Sequence, residues 1–268
     1  MKTVVITGSS RGLGLELAKR FRTNGCNVVI NGVNEERLQK ARAALEAIPG
    51  AGGLLAVAGN VTESVALERL LNETVSAFGA VDVWINNAGV NQPMRPLWEL
   101  KESEIDDILQ IDLRGSVMGS RIAMRQMITQ HGGAIYNLEG YGSNDAMMTG
   151  LNMYGTCKRA MTHFTVALAK EAEEQQTGVI VGRLSPGVMI TDFTVKALGG
   201  RQEIDLPEKT KKFYNVVGDY PDVVADFLVE KMLANTKNNA HIEWLTSRKV
   251  AWRFMTSSFR KRDFFAEK

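Results

Sequence analysis

The feature that most constrains this chain is a glycine-rich turn between its first apolar run and its first amphipathic stretch. Val4–Thr7 reads as a strand, and Leu13–Asn24 carries Leu13, Leu17 and Phe21 at helical spacing. Between them runs Thr7-Gly8-Ser9-Ser10-Arg11-Gly12-Leu13-Gly14. Glycines let a backbone turn sharply and approach a ligand with no Cβ in the way. The following helix points its free N–H groups and positive dipole end at whatever sits there, and a pyrophosphate is the natural guest. The spacing departs from GxGxxG, and such a turn can be merely structural. Its place after strand one and before helix one is what favours dinucleotide binding.

The same alternation continues along the chain. Strands are expected at Asn27–Ile30, Leu54–Ala58, Val81–Ile85, Ala134–Leu138, Val179–Leu184 and His241–Leu245. Helical spacing marks Glu35–Ala47, Val65–Phe78, a long region Ile105–Gln130, and Tyr154–Gln175. Strands alternating with helices predict an α/β fold, a parallel sheet covered on both faces and doubly wound by right-handed crossovers. Pro186–Tyr220 is the longest irregular region. We expect one Rossmann-type domain over 1–247, with 248–268 as a basic aromatic tail of that domain.

Composition excludes several classes. The net charge of +2 over 268 residues gives no support for nucleic-acid binding. No apolar run is long enough to span a bilayer, and the first residues do not read as a signal peptide, so a cytoplasmic protein is expected. Cys26 and Cys157 suggest no disulfide framework, and His131, His163 and His241 show no metal-site spacing, so no metal is expected.

Many NAD-binding folds place an acid after strand two to meet the ribose 2′-hydroxyl. Here that stretch is Ile30-Asn31-Gly32-Val33-Asn34, with no acid. With Arg11 in the glycine turn, this favours NADP(H) over NAD(H), although Val33 supplies no second cation. Tyr154 and Lys158 are four apart and share one helix face. A lysine ammonium favours the phenolate of a neighbouring tyrosine, which can then exchange a proton with a carbonyl or alcohol oxygen. The pair alone is weak; its company gives it force.

Asn86-Asn87-Ala88-Gly89 follows the fourth strand, and Ser185-Pro186-Gly187 the sixth, with Thr191 close behind. In order and spacing, these motifs, the glycine turn and Tyr154/Lys158 resemble the short-chain dehydrogenase/reductase family over nearly the whole chain. The resemblance implies a seven-stranded sheet in the order 3-2-1-4-5-6-7 and hydride exchange between NAD(P) and a carbonyl or alcohol. It implies Gly8, Ser10, Arg11, Gly12, Leu13 and Gly14 around the pyrophosphate and neighbouring ribose, and Asn60 and Val61 beside the adenine. It places Asn87, Ala88 and Gly89 along the cofactor, and Pro186, Gly187, Val188 and Thr191 at the nicotinamide. Tyr154 acts as acid or base, and Lys158 also meets the nicotinamide ribose.

Three positions depart from the family pattern. Asn60 stands for the usual Asp. Asp112 stands for an Asn that holds a relay water, and its charge is expected to act on Lys158. Gly140 stands where the substrate-binding serine belongs, leaving Ser143 as the nearest substitute or as an ordinary loop serine. Leu138–Ser143 resembles the Asp-Gly-Ala-Gly-Ser run of plant chlorophyll b reductases, and other stretches agree, among them Arg95-Pro96-Leu97, Pro207–Thr210 and Arg260–Phe265. No transit peptide or membrane span is read, so the chain looks like a bacterial-type relative. This branch implies reduction of a formyl group on a large apolar substrate such as chlorophyll b. The alternative is a catalytically weak nucleotide-binding sensor or scaffold. Family members pair the helices read here at Ile105–Gln130 and Tyr154–Gln175, so a homodimer or homotetramer is expected.

The tail interleaves Trp252, Phe254, Phe259, Phe264 and Phe265 with Arg248, Lys249, Arg253, Arg260, Lys261 and Arg262. Docking on the protein's own body or on a neighbouring subunit, contact with an anionic membrane surface, and a lid over a large apolar substrate all fit this pattern.

Overall fold

A computed structural model describes residues 1–49, 52–189, 207–257, 259 and 262–265. Seven strands form one parallel sheet: β1 (Thr3–Ile6), β2 (Asn27–Gly32), β3 (Leu54–Ala58), β4 (Val83–Asn86), β5 (Gly133–Leu138), β6 (Val179–Ser185) and β7 (Ala240–Glu243). Their order is β3-β2-β1-β4-β5-β6-β7, as expected. The helices are α1 (Gly12–Thr23), α2 (Glu35–Glu46), α3 (Ser64–Phe78), α4 (Glu102–Ile108), α5 (Ser116–Thr129), α6 (Asn152–Glu174), α7 (Glu208–Val217), α8 (Pro221–Ala234) and α9 (Ser247–Thr256).

Successive strand residues point to opposite faces, so a strand covered on both sides reads as a continuous apolar run. Val4, Ile6, Val28, Ile30, Val83 and Ile85 pack toward α1, α2 and α8. Val5, Val29, Trp84, Ile135 and Val181 pack toward α3, α5 and α6. Helices cover both faces of the central strands, which leaves the carboxyl ends of the strands as the place where loops converge.

Three expectations change. The long helical region is not uniform: α4 and α5 are joined by a π-helical stretch, Leu109–Gly115, with Asp112 inside it. Such wide turns recur at functional sites. The region expected to be irregular holds α7, while residues 190–206 lie outside the described residues. Helix α8 is not among the helices expected from the sequence, although Pro221 at its first turn is a start signal and Asp222, Asp226 and Glu230 form an exposed stripe opposite the buried Val224, Ala225, Leu228, Val229 and Met232.

The tail carries α9 and is docked on the body. Arg253 and Arg262 both pair with the buried Asp219, at 2.8 and 2.7 Å. Phe264 packs edge-on against Tyr220, and Phe265 against Tyr214. Among the described residues, no helix is long and apolar enough to cross a membrane, and no cluster of His, Cys, Asp and Glu could hold a metal ion.

Candidate active site

The glycine turn packs against the loop after β4. A Cβ on Gly8 would lie 2.6 Å from Ala88 Cα, and one on Gly14 would lie 2.8 Å from Gly8 O. The Asn87 amide donates to Thr7 O and Gly8 O, at 2.8 and 3.0 Å. Gly12 has φ +56°, with open space where a Cβ would sit, and no side chain caps α1. Leading N–H groups behind a Cβ-free turn fit a dinucleotide diphosphate. At the end of β2, Asn31 gives its amide to Val57 O and Gly59 O, both at 3.1 Å. Arg11, in the glycine turn, is exposed. Asn60 closes its own turn by accepting from Thr62 N at 3.1 Å, and Val61 packs near Gly115.

Helix α6 carries Tyr154 and Lys158, both buried, with the ammonium 5.3 Å from the centre of the phenol ring. Lys158 Nζ lies 3.1 Å from Asp112 Oδ2, and Asp112 is fully buried. The other Asp112 oxygen accepts from Val90 N at 2.7 Å, which ties the loop after β4 to the π-helical stretch. Burial alone would lower the Lys158 pKa, but Asp112 and Tyr154 outweigh it and hold the ammonium above its usual range. Burial raises Tyr154; Lys158 pulls it down, Asp112 pushes it up, and the phenol titrates above its ordinary value. The lysine therefore does not bring this tyrosine to a phenolate at neutral pH. The geometry suits a proton donor.

Gly140 is where the Tyr154 hydroxyl has room. A Cβ there would overlap that hydroxyl and approach Lys158 Cγ to 3.2 Å. The serine expected at this position thus has no space in the present arrangement. Ser143 Oγ accepts from Gly140 N at 3.1 Å and donates to Lys158 O at 3.4 Å, so its hydroxyl faces the turn and α6.

Two supporting groups went unread in the sequence. Buried Gln92 accepts from Tyr154 N at 2.9 Å and donates to Gly150 O at 2.5 Å, joining the loops after β4 and β5. Nothing along the chain couples residue 92 to residue 154; only the parallel order brings them together. Buried Glu139, at the end of β5, accepts from Thr162 at 2.9 Å and from Ser185, and lies 3.0 Å from His241 Nε2. Burial would raise this carboxyl, but bonds from His241, Ser185 and Thr162 hold it down at about 2. An acid inside a run already set apart, Leu138–Ser143, was the available signal.

The loop after β6 is fixed from three sides. Trp244 N donates to Ser185 O at 2.9 Å, Asp219 N donates to Val188 O at 3.1 Å, and a Cβ on Gly187 would meet Leu245. Pro186, Gly187 and Val188 therefore stand at the carboxyl end of β6, next to the strand that leads to Gly140. Thr191 lies outside the described residues.

Comparison with known proteins gives a consistent picture. The short chain dehydrogenase family profile matches residues 2–201. The chain is 30% identical over 280 residues to "Probable chlorophyll(ide) b reductase" of Arabidopsis thaliana chloroplasts, covering 98% of this chain and 54% of that protein. It therefore spans about half the length of that relative. It is 32% identical over 234 residues to a chloroplastic chlorophyll(ide) b reductase of the same plant, covering 86% and 65% of the two chains. A 3-oxoacyl-(acyl-carrier-protein) reductase of Staphylococcus aureus is 32% identical over 197 residues, covering 72% and 76%. Among solved structures, levodione reductase superposes with a TM-score of 0.81 at 22% identity, covering 93% and 98%. A metagenomic short-chain oxidoreductase in complex with NADP gives 0.70 at 22% identity, covering 90% and 95%.

Proposed function

Since this chain belongs to the short-chain dehydrogenase/reductase family of nicotinamide-dependent oxidoreductases, we propose that it reduces a formyl group on a large, flat, apolar substrate, with NADPH preferred. The cofactor supplies the hydride. Tyr154 donates the proton to the carbonyl oxygen, and its raised pKa keeps that proton in place at neutral pH. Lys158 meets the nicotinamide ribose and is held as an ammonium by Asp112. Asn87, Ala88 and Gly89 brace the cofactor against the sheet, and Pro186, Gly187, Val188 and Thr191 border the nicotinamide. Asn60 and Val61 flank the adenine. The 2′-phosphate meets Arg11, with no carboxylate in Ile30–Asn34 to repel it.

The observation that carries the substrate class is an apolar rim. Met94, Leu97, Trp98, Tyr141, Met147 and Met148 are all exposed, Trp98 at 85% and Met147 at 92%. They lie on the two loops that Gln92 fastens to Tyr154. Methionine thioethers and aromatic faces adapt to a broad polarizable surface. A glycine at 140 leaves the space beside the Tyr154 hydroxyl without a competing side chain. The likeness to chlorophyll(ide) b reductases points the same way, toward a formyl-bearing tetrapyrrole. Ser143 can assist only by turning its hydroxyl from Lys158 O to the substrate oxygen. The same reading pairs α5 and α6 with those of a second copy, where Ile128 and Val166 remain exposed.

The test is NADPH oxidation with a formyl tetrapyrrole, its keto analogue and a small soluble aldehyde. The formyl macrocycle should give the highest kcat/KM. Turnover of small aldehydes with none on any formyl macrocycle would reject the substrate class and leave the reductase intact.

A further inference from the structure

We propose that the outer face of α9 is a docking surface for an anionic lipid bilayer. Arg248, Trp252 and Met255, with Phe259 just beyond the helix, follow one another at intervals of four, three and four residues, which forms a single helical stripe. All four are exposed, Trp252 at 45%, Met255 at 71% and Phe259 at 89%. The opposite side of the same helix is fixed to the body. Lys249 lies over the Trp244 ring, and Arg253 donates to Val217 O at 2.7 Å and pairs with Asp219. The stripe is thus presented by a folded, anchored helix. Exposed Phe213 of α7 packs against Phe254, with ring centres 6.4 Å apart, and extends the apolar area sideways.

Charge identifies the occupant. Residues 248–268 hold seven Lys and Arg against two Asp and Glu, a net +5. The whole chain carries +2, so the remaining residues together carry −3. The cationic excess thus belongs to the same stretch of sequence as the exposed apolar stripe, which Arg248 begins, and that pairing holds an amphipathic helix in the headgroup layer of an anionic membrane. A second copy is a poorer occupant: a two-fold contact through this face would set one basic segment against another. The docking argument is independent of the substrate reading, although a lipid-soluble substrate would be reached from such a surface.

The test is co-sedimentation of the full chain with phosphatidylcholine vesicles, with and without phosphatidylglycerol, at low and high salt. Binding should require phosphatidylglycerol and weaken by at least about tenfold at high salt. Arg248→Ala should weaken it roughly fivefold. Trp252→Ser with Met255→Ser and Phe259→Ser should weaken it by about tenfold or more, with turnover of a soluble aldehyde unchanged. Equal binding to neutral and anionic vesicles, or undiminished binding by the triple variant, would overturn the proposal. So would light scattering that shows a dimer lost in the triple variant while neither protein binds vesicles.

Discussion

Asp112 Oδ2 stands 3.1 Å from Lys158 Nζ, with both side chains buried, so a complete ion pair lies immediately behind the proton donor. In reduction, activity needs protonated Tyr154 and is lost as pH rises through its pKa. Asp112 raises that pKa. Asp112→Asn should therefore move the basic limb of the reduction profile downward by about one unit, the low end for a nearby charge. Denaturant unfolding should show a loss of about 3 kcal/mol, because one charge of a buried pair is left uncompensated. An unmoved pH profile would reduce Asp112 to a packing residue.

Tyr154→Phe keeps the ring and removes the proton. Turnover should drop by at least about a hundredfold, with the NADPH dissociation constant nearly unchanged. Ser143→Ala should also lower turnover more than cofactor affinity, by about tenfold, because its hydroxyl, turned from Lys158 O to the substrate oxygen, would meet the charge that develops there in the transition state. Full activity in the alanine variant would leave the oxygen contact to Tyr154.

Arg11 makes no ion pair among the described residues, and the end of β2 offers no carboxylate. Isothermal titration should show NADPH binding more tightly than NADH. Arg11→Ala should close most of that gap, about tenfold or more, by removing a charge-assisted contact. Equal affinities in the unaltered protein would refute the preference.

Glu139 is held at about 2, below the 4.5 of a free glutamate. Between those values the unfolded chain binds more protons than the folded one, so stability rises with pH. The contribution is complete above about pH 4.5 and is lost as pH falls toward 2. Glu139→Gln should lower stability at neutral pH and flatten the acid limb of a melting-temperature series in that window. A parallel downward shift with an unchanged acid limb would show that Glu139 does not titrate with unfolding.

Much of this was legible because strand and helix differ in apolar period. All seven strands were expected within two residues of their observed ends, since most of these buried parallel strands are short apolar runs. Tyr154, Lys158 and the glycine turn stand out because their chemistry depends on local spacing. Gln92 and Glu139 do not, because their partners lie 62 residues away at Tyr154 and 102 away at His241. The outcome of the Tyr154–Lys158 pairing was not legible either. Spacing reports that a lysine is near, whereas burial and a third charge decide which way the phenol moves.

The π-helical stretch Leu109–Gly115 gives the site a dependence on counting. A wide turn accommodates one residue more than an α-helix would over the same rise, and each added residue rotates the next by about 100°. Helices α4 and α5 are therefore phased independently on either side of Asp112. A chain lacking one residue in this stretch would retain Tyr154, Lys158 and an aspartate, yet the aspartate or its supporting helix would face another direction. For this segment, length is inherited information as much as chemistry is, and a deletion that removes no functional side chain can still dismantle the proton donor's surroundings.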